Sequence, residues 1–169
     1  MREIARLLDR IVAAGVIRNY ALFGAIAQMR YTEPVATLAV DVLVEVPASG
    51  RLDLLSPRYD YCAGEGYPAE GEAIRVGAWP LQFILAYNAL TREALAHAEI
   101  AEYEGVPLRV VRADYLAVIA LETGRPKDMA RILSLLESGS VTTDTLAALA
   151  SRRGLDDAWR RFKARFMND

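Results

Sequence analysis

The sequence is poor in the residues that build disulfide frameworks and metal centres. Its 169 residues include one cysteine, Cys62, and one histidine, His97. A single thiol cannot form an intrachain disulfide or supply a zinc ribbon, so the sequence predicts a protein of a reducing cytoplasm. One histidine excludes every site that needs two histidine ligands, and a Ser-His-Asp or Cys-His arrangement would have to use His97 itself.

Long apolar runs and an excess of one charge are also missing. The apolar stretch 11–17 is far shorter than the roughly 18 residues of a membrane span, and it follows Asp9 and Arg10, unlike a signal peptide. The 20 basic and 22 acidic residues give a formal charge of −2, which creates no global field toward nucleic acid or anionic lipid. The sequence therefore predicts no membrane partner, and any nucleic-acid site would have to be local.

Apolar residues make up 53% of the chain, enough for a core that needs no disulfide or structural metal. Apolar periodicity, bounded by glycine and proline, predicts both strands and helices. The predicted strands are 19–23, 37–46, 73–76 and 81–85, with an edge-like strand pair at 103–111. The predicted helices are 2–14, 25–31, 56–63, 91–100, 113–123, 126–137, 143–152 and 155–166. This order predicts an α+β or mixed α/β fold, with a core over residues 1–111 and a helical cap over residues 112–169.

Four segments carry a more specific pattern. Residues 20–27 read YALFGAIA, and residues 40–44 read VDVLV. Further along, residues 105–111 read GVPLRVV, and residues 124–128 read GRPKD. In this order and spacing the sequence resembles the nucleotidyltransferase fold of the DNA polymerase β superfamily, in particular its minimal-nucleotidyltransferase and AbiEii-like bacterial branches. The resemblance implies a mixed β-sheet flanked by helices.

The resemblance also implies roles for individual residues. In the family, a glycine pair at a helix start approaches the triphosphate, and two carboxylates separated by one residue on a strand hold Mg²⁺, joined by a third from a neighbouring strand. Aligned in this way, Asp41 is the catalytic and metal-binding carboxylate. Gly24 and Ala25 stand at the glycine pair. Ala39 and Gln82 stand where the other two carboxylates are expected, with Gln82 lining the nucleotide site.

The two replaced carboxylates decide the functional expectation. Mg²⁺ is held by carboxylate oxygens, and losing two of three removes most of the charge that offsets its dehydration. The resemblance implies transfer of a nucleoside monophosphate from a nucleoside triphosphate to an acceptor with Mg²⁺, here weak or absent. The alternative is a non-catalytic binding module, such as a toxin-antitoxin-like component that acts with a protein partner or a second copy. Three other carboxylates could substitute if the fold brings them near Asp41: Glu33, Glu45 and Asp53.

Several residues in these segments have two interpretations. Asp41 is either a metal ligand or a carboxylate paired with an arginine such as Arg30, since a buried carboxylate needs a partner. Gly24 is either a phosphate-loop glycine or a turn glycine. The charged side chains of the GRPKD segment, Arg125, Lys127 and Asp128, either face the cleft or form an ordinary helix-start cluster, and the helix-start cluster is the simpler interpretation.

The last two predicted helices have the spacing of a helix-turn-helix. Residues 151–169 hold six basic and three acidic side chains. That local excess is small and discontinuous for a nucleic-acid-binding face. Trp159, Phe162 and Phe166 recur at helical spacing, which predicts an apolar stripe packed on the domain or on a second subunit.

Overall fold

The computed structural model describes residues 1–48 and 53–167. Its helices are α1 (Arg2–Ala13), α2 (Gly24–Gln28), α3 (Ser56–Gly64), α4 (Ala89–Ala96), α5 (Ala113–Thr123), α6 (Pro126–Glu137), α7 (Thr143–Arg152) and α8 (Asp156–Phe166). Its strands are β1 (Asn19–Phe23), β2 (Val40–Glu45), β3 (Ala69–Glu70), β4 (Ala73–Val76), β5 (Trp79–Leu85), β6 (Glu99–Tyr103) and β7 (Val106–Val110). The predicted mixed α/β class is confirmed.

The strands form one mixed sheet in the order β3-β4-β5-β2-β1-β7-β6. β2 lies in its middle, antiparallel to β1 and parallel to β5. Val42, Leu43 and Val44 of β2 are completely buried, as the apolar run of this segment predicts. Because β1 and β2 run in opposite directions, the end of β1 and the start of β2 meet at one edge of the sheet.

The chain after residue 113 is helical, as predicted. α5 is buried along most of its length, and α6, α7 and α8 follow it. The apolar stripe of α8 packs on the same chain: Trp159 and Phe162 are buried and Phe166 is partly buried in the core cluster. Of the two predicted surfaces for this stripe, the structure shows packing within the chain. The division into a core and a C-terminal helical region between residues 111 and 112 stays a prediction.

One predicted helix is too long. The segment expected to be helical over 91–100 ends its helix at Ala96, and Glu99–Tyr103 forms β6, antiparallel to β7. The turn between these strands is the dipeptide Glu104-Gly105, with φ of 53° and 74°. Two positive φ values are those of a type I′ hairpin turn. The strand pair predicted over 103–111 is therefore present but shifted, because its first strand ends at Tyr103 instead of beginning there.

Two further differences are smaller. The strand predicted from residue 37 begins at Val40, because the Thr37 hydroxyl donates to the Ala39 carbonyl in a local turn. The short strand β3 was not predicted. Within the described residues, no helix combines the length and the apolar character needed to cross a bilayer.

Candidate functional site

A cavity of about 330 Å³ lies at the sheet edge where β1 ends and β2 begins. The sheet contributes its floor, and α4, α5 and α6 contribute its walls. Its lining comprises Phe23, Gly24, Asp41, Leu43, Gln82, Ile84, Tyr87, Thr91, Ile119, Ala120, Thr123, Arg125, Lys127, Asp128 and Arg131. Three of the four residues that the sequence assigned to the site, Gly24, Asp41 and Gln82, are in this lining.

Strand pairing explains why these three residues meet. Asp41 of β2 lies opposite Phe23 of β1, the residue immediately before Gly24. On its other side, Asp41 lies in parallel register with Gln82 of β5. Ala25 follows in the short helix α2, outside the lining of the cavity.

Gly24 lies in a turn whose backbone favours glycine, and its phosphate-loop role stays a prediction. Its φ of 61° is in the left-handed region, which glycine adopts without a Cβ penalty. A Cβ placed on Gly24 would overlap Asp41 Oδ2 and lie 3.2 Å from Asp41 Cγ. The absence of a side chain therefore serves the turn and also gives the backbone its close approach to the carboxylate.

The carboxylates considered as substitutes lie elsewhere. Glu45 is at the opposite end of β2, opposite Asn19 of β1. Asp53 is at the start of α3, where its Oδ1 accepts hydrogen bonds from the backbone N–H groups of Leu55 and Ser56. Neither carboxylate lines the cavity of Asp41.

Glu33 and Arg30 line a separate surface depression. Arg30, named as one example of an arginine partner for Asp41, is thus not in the lining of the Asp41 cavity. The charges that act on Asp41 belong to Arg131, Lys127 and Arg125.

These three cations all come from the first turns of α6. Burial raises the pKa of Asp41 above its ordinary value, and the positive charges of Arg131, Lys127 and Arg125 oppose that rise. Arg125 is the N-cap residue of α6, so the positive end of the helix dipole faces the same cavity. The lining thus holds three cationic side chains and two carboxylates, Asp41 and Asp128.

Asp128 fixes two of the cations. Its side chain is 1% exposed, and it accepts hydrogen bonds from Arg125 Nε at 2.6 Å and Arg125 Nη2 at 3.2 Å. Arg131 Nη1 lies 3.6 Å from Asp128 Oδ1. On its other side, Arg131 Nε donates to Oε1 of the buried Gln28 at 3.0 Å.

The GRPKD segment therefore fits both interpretations of its sequence, a helix-start cluster and a set of side chains that face the cleft. Asp128 also accepts from the backbone N–H of Arg125, the N-cap residue of α6. Arg125 and Lys127 line the cavity at the same time, so the simpler interpretation of an ordinary helix-start cluster was incomplete. Arg131 was not identified from the sequence, although its spacing of four residues from Lys127 predicts the same helix face.

The donor set does not fit the two magnesium ions of the family pattern. Across residues 1–48 and 53–167, no three acidic, histidine or cysteine side chains converge so as to hold a metal ion. Asp41 stands beside a neutral amide and faces three cations, which repel a dication. The arrangement is instead suited to an anion, which the arginines and the lysine can both neutralise and hydrogen-bond.

Comparison with known proteins identifies the fold. A scan against protein-family models and a search of curated proteins find no match. Among solved structures, the chain is similar to an antigenic nucleotidyltransferase-like protein from Paracoccidioides brasiliensis, with 14% identity, a TM-score of 0.55, and coverage of 96% of this chain and 94% of that chain. It also matches ANT(2″)-Ia in complex with adenylyl-2″-tobramycin, with 13% identity, a TM-score of 0.48 and 96% coverage of each chain. The first likeness shows that the chain has a nucleotidyltransferase-like fold.

Proposed function

We propose that this protein binds the polyphosphate of a nucleotide in the Asp41 cavity and transfers its nucleotidyl group weakly or not at all. The observation that carries the proposal is the set of three cations, Arg125, Lys127 and Arg131, that face Asp41 from α6. The resemblance of the sequence to bacterial nucleotidyltransferases and the shared fold make a nucleoside triphosphate the natural candidate for the anion.

Electrostatics favour a polyphosphate over a metal ion. Asp128 neutralises part of the charge of Arg125 and Arg131. The lining still holds three cations and only two carboxylates, so one positive charge is unbalanced. Arginine guanidinium groups hydrogen-bond phosphate oxygens in a bidentate way, and lysine adds a mobile point charge. The N-terminus of α6, a helix of 12 residues, adds a favourable dipole at the same place.

The same residues explain why transfer would be slow. Asp41 is the one carboxylate that remains of the three the resemblance implies, and burial raises its pKa, which disfavours the charged form that a metal ion requires. Gln82 beside it supplies an amide oxygen but no charge. We therefore infer that nucleotide binding is retained more strongly than transfer. The alternative, a non-catalytic partner module, predicts no transfer at all.

The first test measures binding by calorimetry with ATP and inorganic tripolyphosphate, in EDTA and in Mg²⁺. We expect both ligands to bind in EDTA. The chain has two lysines, Lys127 in the cavity and Lys163 on α8 beside Trp159, which supply a matched pair of variants. Lys127→Ala should weaken both ligands about tenfold, as expected for losing one charge-assisted contact, while Lys163→Ala should leave both affinities unchanged. Equal affinities in the two variants, or no binding in EDTA, would refute the proposal.

The second test asks whether the missing carboxylates limit transfer. With labelled nucleoside triphosphates and Mg²⁺ or Mn²⁺, we expect little transfer to the protein itself, to RNA or to small acceptors. The double substitution Ala39→Asp and Gln82→Asp should raise Mg²⁺ affinity measurably, because it adds one carboxylate in register with Asp41 and one two residues before it in the chain. Strong metal-dependent transfer by the unaltered protein, abolished by Asp41→Ala, would show that the argument from the missing carboxylates is wrong.

A further inference from the structure

The cavity has a second part that differs chemically from its cationic part. Leu43, Ile84, Ile119 and Ala120 give it an apolar wall. Tyr87, in the loop between β5 and α4, completes this wall. Tyr87 is 64% exposed, an unusual position for a large aromatic side chain in a cavity lining.

Polar contacts join Tyr87 and its neighbour Asn88 to two helices. Its hydroxyl donates to Glu122 Oε2 of α5 at 3.4 Å. The next residue, Asn88, donates from Nδ2 to both carboxylate oxygens of Glu122, at 3.1 and 3.0 Å. Asn88 is also the N-cap of α4, where its Oδ1 accepts from the backbone N–H of Thr91 at 2.8 Å.

These contacts hold the phenol ring by its polar end. The hydroxyl interacts with Glu122, while most of the side chain stays open to solvent at the cavity wall. An exposed aromatic ring whose polar end is already held is available for contact with a flat apolar partner. The ordering cost of such a contact is small, since the loop is fixed by Asn88 before any ligand arrives.

We propose that Tyr87 is the residue on which the base of the bound nucleotide stacks. A nucleotide carries a multiply charged polyphosphate at one end and a flat aromatic base at the other. The cavity has the same division, with Arg125, Lys127 and Arg131 in one part and Tyr87 in the apolar part. Stacking on an aromatic side chain tolerates any base, because every base has a π-face. This inference rests on the proposed nucleotide binding and assigns the residue that separates a nucleotide from a bare polyphosphate.

The test compares two ligands that share the polyphosphate but differ in the base. Affinities for ATP and for inorganic tripolyphosphate are measured by calorimetry on the whole chain. Tyr87→Ala should weaken ATP about tenfold, equivalent to about 1.4 kcal/mol, and leave tripolyphosphate unchanged. Tyr87→Phe keeps the ring and should retain ATP affinity to within about twofold. Ile100→Ala, which truncates a similarly exposed apolar residue on β6 at 62% exposure, should change neither affinity.

The outcomes separate this inference from the function on which it rests. If the unaltered protein binds both ligands equally, or if Tyr87→Ala weakens both by the same factor, Tyr87 does not stack on the base, yet polyphosphate binding stands. If the unaltered protein binds neither ligand, the proposed function and this inference both fail. A selective loss of ATP in Tyr87→Ala, with affinity retained in Tyr87→Phe, supports the stacking role.

Discussion

Asp128 provides the sharpest test of how the cationic part of the cavity is held together. The side chain is 1% exposed and contacts Arg125 and Arg131, whose side chains are 55% and 13% exposed. Asp128→Asn keeps the shape of the side chain and removes its charge. Arg125 can turn to solvent in the variant, but Arg131 stays largely buried, with only the more distant charge of Asp41 to offset its own.

The expected loss of stability follows from that difference. Removing one partner of a buried ion pair costs about 3–5 kcal/mol, because the remaining charge stays desolvated. Arg131 keeps its hydrogen bond to Gln28, so we expect a loss near the lower end, about 3 kcal/mol. For a chain of this size, about 3 kcal/mol corresponds to a fall in Tm of about 6–12 °C.

A matched control lies on α8. Asp157 and Arg160 have the same i,i+3 spacing as Asp128 and Arg131, at 3.0 Å, but their side chains are 73% and 75% exposed. Asp157→Asn should therefore change the free energy of unfolding by less than about 0.5 kcal/mol. Urea unfolding of both variants at pH 7 is the assay. A loss below about 1 kcal/mol in Asp128→Asn, or equal losses in the two variants, would refute the argument that burial of Arg131 sets the cost.

Two further predictions concern the floor of the cavity. A left-handed backbone costs alanine about 1–2 kcal/mol relative to glycine. Gly24→Ala should lower the free energy of unfolding by more than this, because the new Cβ also overlaps Asp41 Oδ2. Gly15 is the matched control, with φ of 70° and no atom within 4 Å of an added Cβ, so Gly15→Ala should show the backbone cost alone. Equal losses of unfolding free energy in the two variants, measured in urea, would contradict the close approach of Gly24 to Asp41. Asp41→Asn should raise the free energy of unfolding at pH 7, since burial raises the pKa of Asp41 and ionisation therefore costs stability above that pKa. This gain in stability should shrink as the pH falls through the folded-state pKa of Asp41. A gain that does not depend on pH would contradict the argument that ionisation of Asp41 costs stability.

The fold followed from the sequence wherever a local signal and the tertiary structure agree. The bounds of α5 and α6 were predicted to the residue, because Gly124 ends one helix in the left-handed conformation and Pro126 begins the next. β6 was predicted too late in the chain, because Glu99 and Ile100 extend an apparently helical pattern. Its strand conformation depends on pairing with β7, a tertiary contact that local periodicity does not contain.

The site was predicted only in part, for a similar reason. The resemblance of the sequence assigned Gly24, Asp41 and Gln82 to one site, and the pairing of β2 with β1 and β5 brings these residues together. The role of α6 was missed because the sequence does not say which helix faces that edge. Once α6 is placed there, the spacing of Lys127 and Arg131 puts both cations on the cavity side.

The position of α6 changes the meaning of the missing carboxylates. Judged by ligand count alone, Ala39 and Gln82 describe a metal site that has lost two of its three anions. The site also differs from the expected metal site in its cations. The buried guanidinium of Arg131, held by Asp128 and Gln28, makes the surroundings of Asp41 positive rather than negative. Under those charges Asp41 partly offsets the repulsion among the cations of α6, while burial makes its own ionisation unfavourable. The polyphosphate that we propose to bind in this cavity would offset the same repulsion, whereas a dication would add to it.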